Sequence, residues 1–168
     1  MNTPELQTIK NFVRTGPFSK WIHLPEFPTG MQTLWDFCRD ESAMNGFVKR
    51  IDLLSIEPVL NKDCLDEYRP FYEFLCRSGI TRRPLSRITR AEWRKWASRL
   101  LARKVWIFEA KCYGGSLFDA LGQVLVKNEL FREDYPDSKI VGLGVICEKS
   151  DQLMEHACSK LNVKMFEV

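Results

Sequence analysis

Cysteine and histidine are present in this chain but nowhere gathered into a metal-binding pattern. The six cysteines, Cys38, Cys64, Cys76, Cys112, Cys147 and Cys158, include no CxxC pair. Zinc and iron–sulfur ligation need such local spacing, so reduced and mostly buried thiols are expected instead. His23 and His156 are the only two histidines in 168 residues, too scattered for a histidine metal centre. No GxSxG-like elbow occurs, which leaves serine-nucleophile chemistry without its local signature. No run of eighteen apolar residues exists, and the opening MNTPELQTIKNF lacks the apolar centre of a signal peptide. An intracellular, cytoplasmic protein with no membrane partner is the expectation.

What is present suits one domain spanning residues 1–168. At 45% hydrophobic, the chain can bury a single sizeable core. Thr3 can cap a helix with Pro4 in its first position, running to about Arg14 before Gly16-Pro17. Residues 17–30, with three prolines, read as loop around a short extended piece at Trp21–Leu24, and Met31–Arg39 as a short helix. Phe47–Ile56 reads as a partly alternating strand that stops at Glu57-Pro58. Residues 62–79 suggest an aromatic-rich helix broken at Pro70, and 80–88 a basic loop. Later come a strand at Val105–Lys111, a turn at Cys112-Tyr113-Gly114-Gly115 and a helix capped by Ser116 that runs to about Glu133. Asp134-Tyr135-Pro136-Asp137 ends it. A strand at Lys139–Cys147, a helix at Asp151–Leu161 and a strand at Val163–Val168 complete the chain.

Charge is unevenly distributed. The net charge is +3, yet residues 77–104 hold ten Lys or Arg against one acid, Glu92. A single-sign patch attracts a polyanion, and Trp93, Trp96 and Trp106 lie close enough in sequence to stack on bases. Thr89 and Glu92 also form a capping box, after which Trp93, Trp96, Ala97, Leu100 and Leu101 share one helical face. That spacing favours core for the tryptophans and leaves Arg90, Arg94, Lys95, Arg99 and Arg103 exposed.

The segment Val105-Trp106-Ile107-Phe108-Glu109-Ala110-Lys111 is apolar until its last three residues. Alternation puts Glu109 and Lys111 on one face and Phe108 and Ala110 on the other. Ionised groups on a strand fit for burial need partners, so Glu109 and Lys111 either neutralise each other or frame a site.

Three segments carry a resemblance to a known family: Arg50-Ile51-Asp52-Leu53-Leu54, Glu109-Ala110-Lys111, and Asp119-Ala120-Leu121-Gly122-Gln123 on the following helix. Together with the order of elements they resemble the PD-(D/E)xK, or restriction-endonuclease-like, nuclease superfamily. The last segment is similar to the A-x-G-Q pattern of archaeal repair and mismatch-cleaving endonuclease domains. The resemblance covers roughly residues 45–61 and 105–168. It implies an α/β fold with a central mixed sheet flanked by helices. Residues 62–103 would then be a basic, largely helical insertion emerging beside the site.

The resemblance implies a metal-dependent nuclease acting on DNA, with RNA left open and Mg²⁺, or Mn²⁺ in its place, as cofactor. Asp52, Glu109 and the backbone carbonyl of Ala110 would be the metal ligands, and Lys111 would orient or deprotonate the attacking water. Gln123 would hold the water or Lys111, unless it is simply a surface glutamine. Relatives also carry a carboxylate on the first helix, for which Glu5 and then Glu41 are candidates. The position four beyond Gln123, often aromatic in relatives, is Lys127, where a lysine could add a phosphate contact. Arg82, Arg83, Arg90, Arg94 and Arg99 are the expected phosphate contacts. Carboxylate-held Mg²⁺ suits phosphodiester hydrolysis on chemical grounds, because it both activates water and offsets charge building on the phosphate. Two other classes stay open: a nucleic-acid-binding module that keeps the fold without cutting, and a protein-interaction subunit in which Glu109 and Lys111 merely pair. A homodimer would suit cutting two strands, although no feature of the sequence demonstrates one.

Overall fold

The computed structural model describes residues 3–30, 32, 49–58, 91, 103–112 and 116–168. Helix α1, Thr3–Thr15, carries Pro4 in its first turn, where a missing N–H costs no hydrogen bond. Gly16 ends it by donating its N–H to the Phe12 carbonyl at 2.7 Å, and a Cβ at Gly16 would overlap that same oxygen.

Five strands form one sheet in chain order: β1 Ile22–Thr29, β2 Lys49–Ile56, β3 Lys104–Lys111, β4 Lys139–Cys147 and β5 Val163–Glu167. β1, β2 and β3 pair antiparallel, whereas β4 and β5 run parallel to β3. Parallel neighbours need crossovers, supplied by α2, Leu117–Asp134, and α3, Gln152–Lys160. The expected cap is in place, Ser116 accepting the Asp119 N–H at 3.2 Å, whereas Asp151, read from the sequence as the first helical residue, caps α3 by accepting the Met154 N–H at 2.8 Å. The architecture is α/β, a mixed sheet flanked by helices. Among the described residues no helix is long and apolar enough to cross a membrane.

β1 departs from the sequence reading, which gave residues 17–30 mostly to loop. Pro25 and Pro28 lie inside an eight-residue strand, opposite Leu53 and Arg50. They are tolerated because β1 is the edge of the sheet, where a missing donor faces no second partner. The loop after β1 is tied down by buried Asp134 at the end of α2, whose carboxylate accepts the N–H groups of Gly30 and Gln32, each at 2.7 Å.

Alternation along β3 separates two cores. Val105 and Ile107 join the aliphatic layer under α2 and α3, which includes Leu54, Val124, Val145 and Met154. Trp106, Phe108 and Ala110 face the opposite layer with Ile9, Phe12 and Phe18. Trp106 and Phe108 stack with centroids 5.5 Å apart, lying across their register partners Gly142 and Gly144. A Cβ at either glycine would collide with the ring above it. Trp106 is therefore core and is not presented to nucleic-acid bases. Among the described cysteines, Cys147 and Cys158 are buried and Cys112 is partly buried, all as free thiols.

The expected helices at Met31–Arg39 and 89–103, the Gly114-Gly115 turn, Trp93, Trp96, Glu41 and the arginines Arg82, Arg83, Arg90, Arg94 and Arg99 lie outside the described residues, apart from Gln32, Ala91 and Arg103. The roots of segment 59–102 are nevertheless well placed. The Glu57 N–H donates to the Lys104 carbonyl at 2.9 Å, and Arg103 Nη2 donates to the Glu57 carbonyl at 2.8 Å. Chain exit and re-entry thus sit beside Ile56 and Val105, about four residues, or roughly 13 Å of strand, from Asp52 and Glu109. An insertion between two antiparallel strands must leave where the first ends and the second begins, and here that is the end of the sheet away from the carboxylates.

Candidate active site

The site forms where β2 and β3 part. Their ladder ends at Leu53 opposite Phe108, so one further step would set Asp52 against Glu109. On its other side, β1 also skips this position: Pro25 pairs with Leu53 and Phe27 with Ile51, and Glu26 between them takes a positive φ of 54°. Asp52 instead uses its side chain, Oδ2 accepting the Ala110 N–H at 2.9 Å. A carboxylate replaces the missing carbonyl and satisfies a donor at the sheet's opening.

Glu109 points to the α2 layer and is 1% exposed. Facing it is Lys127. The buried stripe of α2 runs Ala120, Leu121, Val124, Lys127, Asn128 and Phe131, the spacing of a helix laid on a sheet. The Lys127 ammonium donates to Glu109 Oε1 at 2.7 Å and Oε2 at 2.6 Å, and lies 4.0 Å from Asp52 Oδ1. Burial pushes the Glu109 carboxyl up to about 8, with the Asp52 charge adding to the rise and Lys127 opposing it. Burial also raises the Asp52 carboxyl, against the pull of Lys127 and the Ala110 N–H. Two carboxyl groups in one dry site resist ionising together, which leaves room for one shared proton.

Lys111, at the end of β3, has its ammonium 3.8 Å from Glu5 Oε1 on α1. Glu109 and Lys111 thus do not neutralise each other; each has a partner from a different helix. Of the two first-helix candidates Glu5 is the one described, and its charge reaches Asp52. Asp52, Glu109, Ala110, Lys111 and Glu5 are brought to one end of the sheet. Gln123 lies on the exposed side of α2, one turn before Lys127, and no hydrogen bond joins it to Lys111 among the described residues. It lines an open cleft of about 700 Å³ with Lys49, Arg50, Phe118, Asp119, Gly122, Val126 and Lys127. Lys49, Arg50 and Lys127 line that cleft with the acid Asp119, Arg50 being also paired with Glu26 Oε2 at 3.2 Å.

No family model matches the chain, and no curated protein or solved structure does either. The site therefore has to be read from its own chemistry.

Sequence reasoning noted Lys127 as a departure from the family pattern but missed its partners. The signal was its place on the buried stripe, at helical spacing from Ala120 and Val124, where a lysine needs a carboxylate. The carboxylate oxygens of Asp52 and Glu109, both within 4.0 Å of the Lys127 ammonium, are of the kind a hard divalent cation takes. Among the described residues no cluster of three or more His, Cys, Asp or Glu is arranged around a metal position. Fit to a cation is nonetheless visible, because an ammonium already rests on both Glu109 oxygens.

Proposed function

We propose that the chain is a metal-dependent nuclease of restriction-endonuclease-like fold that hydrolyses phosphodiester bonds in DNA. The observation that carries this reading is the Asp52 carboxylate at the β2–β3 fork, bound to the Ala110 N–H and adjoining Glu109, with Lys111 two residues further along the same strand. Asp52, Glu109 and the Ala110 carbonyl would hold Mg²⁺ or Mn²⁺. Bound there, the cation supplies an activated water and offsets charge on the phosphate. Lys111, steadied by Glu5, offers its ammonium to the attacking water and to a phosphate oxygen. Lys49 and Arg50 at the start of β2 favour an anionic backbone in the adjoining cleft. Arg82, Arg83, Arg90, Arg94 and Arg99 remain candidate phosphate contacts from the basic segment.

A second reading, a nucleic-acid-binding module that does not cut, is favoured by one observation: Lys127 already satisfies both oxygens of Glu109. The deciding experiment is cleavage of single-stranded, duplex and branched DNA with Mg²⁺ or Mn²⁺, an EDTA control, and the variants Lys111→Ala and Asp52→Ala. Metal-requiring cleavage that drops about a hundredfold or more in both variants, with salt-sensitive binding retained, is the expected result. Undiminished cleavage by Asp52→Ala rejects the site, and salt-sensitive binding without cleavage by the wild type selects the second reading.

A further inference from the structure

We infer that Lys127 is a tethered counter-cation, holding the cation position of the Asp52–Glu109 pair until a divalent ion displaces its ammonium into the cleft lined by Lys49, Arg50 and Gln123. The inference rests on the metal-dependent reading of the site and adds to it how the site is occupied and emptied.

Geometry makes the exchange necessary. The ammonium donates to both Glu109 oxygens, at 2.7 and 2.6 Å. A divalent ion sharing those oxygens would stand beside a fixed positive charge in a dry site, where repulsion is poorly screened. Charge balance points the same way. Once the shared proton of the acid pair has left, Glu5, Asp52 and Glu109 carry three negative charges, and Lys111 and Lys127 two positive ones. Replacing Lys127 by a divalent ion brings the five charges to balance, whereas adding the ion with Lys127 still in place leaves an excess positive charge.

Topology makes the exchange feasible. Lys127 belongs to both compartments: its ammonium reaches the acid pair, and the residue lines the cleft. Its neighbour Val126 and the preceding turn, Gly122 and Gln123, are exposed, so a long flexible side chain has room to swing out without moving α2. Once outside, it joins Lys49 and Arg50 as a third cation toward an anionic substrate. Metal entry would thus raise the positive charge of the cleft and couple occupancy of the acid pair to grip on a phosphate.

The test is binding of Mn²⁺ alone, read from the free-ion paramagnetic resonance signal, to wild type, Lys127→Met and Lys127→Met with Glu109→Gln. Lys127→Met should bind Mn²⁺ about tenfold or more tightly than wild type, and the added Glu109→Gln should abolish the gain. Equal or weaker binding by folded Lys127→Met overturns the inference, and if the wild type still binds Mn²⁺ and cleaves, the nuclease reading stands. Absence of binding to both proteins overturns both. Because Lys127→Met leaves two carboxyl groups unpaired and could fail to fold, a second measurement uses the wild type. The side-chain ammonium resonance of Lys127, assigned through Lys127→Arg, should be protected from exchange without metal and lose that protection as Mg²⁺ saturates the site. Protection retained at Mg²⁺ saturation overturns the exchange.

Discussion

Two lysine–glutamate pairs flank the same end of β3, and they differ in what surrounds them. Lys127 meets Glu109 between the sheet and α2 at 2.6 Å, with the carboxylate shut away from solvent. Lys111 meets Glu5 at 3.8 Å across the strand end, with both side chains partly open to water. The first pair is a structural commitment, because breaking it strands a charge where water cannot reach. The second is loose enough for Lys111 to turn toward another partner. On the proposed reading, the tight lysine guards the acids and the loose one does chemistry.

The largest expected effect comes from breaking the tight pair. Lys127→Met should cost about 3–5 kcal/mol in urea unfolding without metal above about pH 8, where Glu109 is ionised and would lose its buried partner. Added Mn²⁺ should restore much of that loss, since any ligand of the folded state stabilises it by mass action. A loss under about 1 kcal/mol would mean that the two pairs are equivalent after all.

A pH profile sharpens the comparison from the acid's side. The Glu109 carboxyl lies at about 8 in the folded protein, against an ordinary value of 4.5. The folded state therefore holds a proton that the unfolded chain gives up. Its stabilising contribution is complete below about pH 4.5 and is lost as pH rises through about 8. Urea midpoints should decline across that window in the wild type and flatten in Glu109→Gln. A wild-type midpoint that climbs from pH 5 to 8 would contradict the assignment.

The smallest expected effect on stability belongs to the loose pair. Lys111→Ala should shift unfolding by about 1 kcal/mol or less, as for a partly exposed pair held at 3.8 Å without a hydrogen bond, while abolishing cleavage if the protein cuts DNA. A large stability loss with cleavage intact would invert the roles of the two lysines.

Most of the regular elements were legible because their patterns are local. Ser116 is a cap whose partner lies three residues away, and β4 begins and ends where its apolar run does. β1 was hidden because Pro25 and Pro28 argue against a strand, and the sequence does not say that the strand will lie at an edge. The fork between β2 and β3 was readable only in part: a carboxylate was expected at Asp52 and another at Glu109, but not the hydrogen bond from the Ala110 N–H to the Asp52 side chain.

What the sequence determined by itself was the alternation that sends Glu109 to one face of β3 and Phe108 to the other, and the stripe that buries Lys127. These follow from periodicity, which acts between near neighbours. The choice of partners was left to the tertiary structure. Lys127 rather than Lys111 neutralises Glu109, and Glu5 takes Lys111, because the crossover of α2 and the packing of α1 set which charges meet. Coulombic pairing depends on distances in space, and eighteen residues separate Glu109 from Lys127 along the chain.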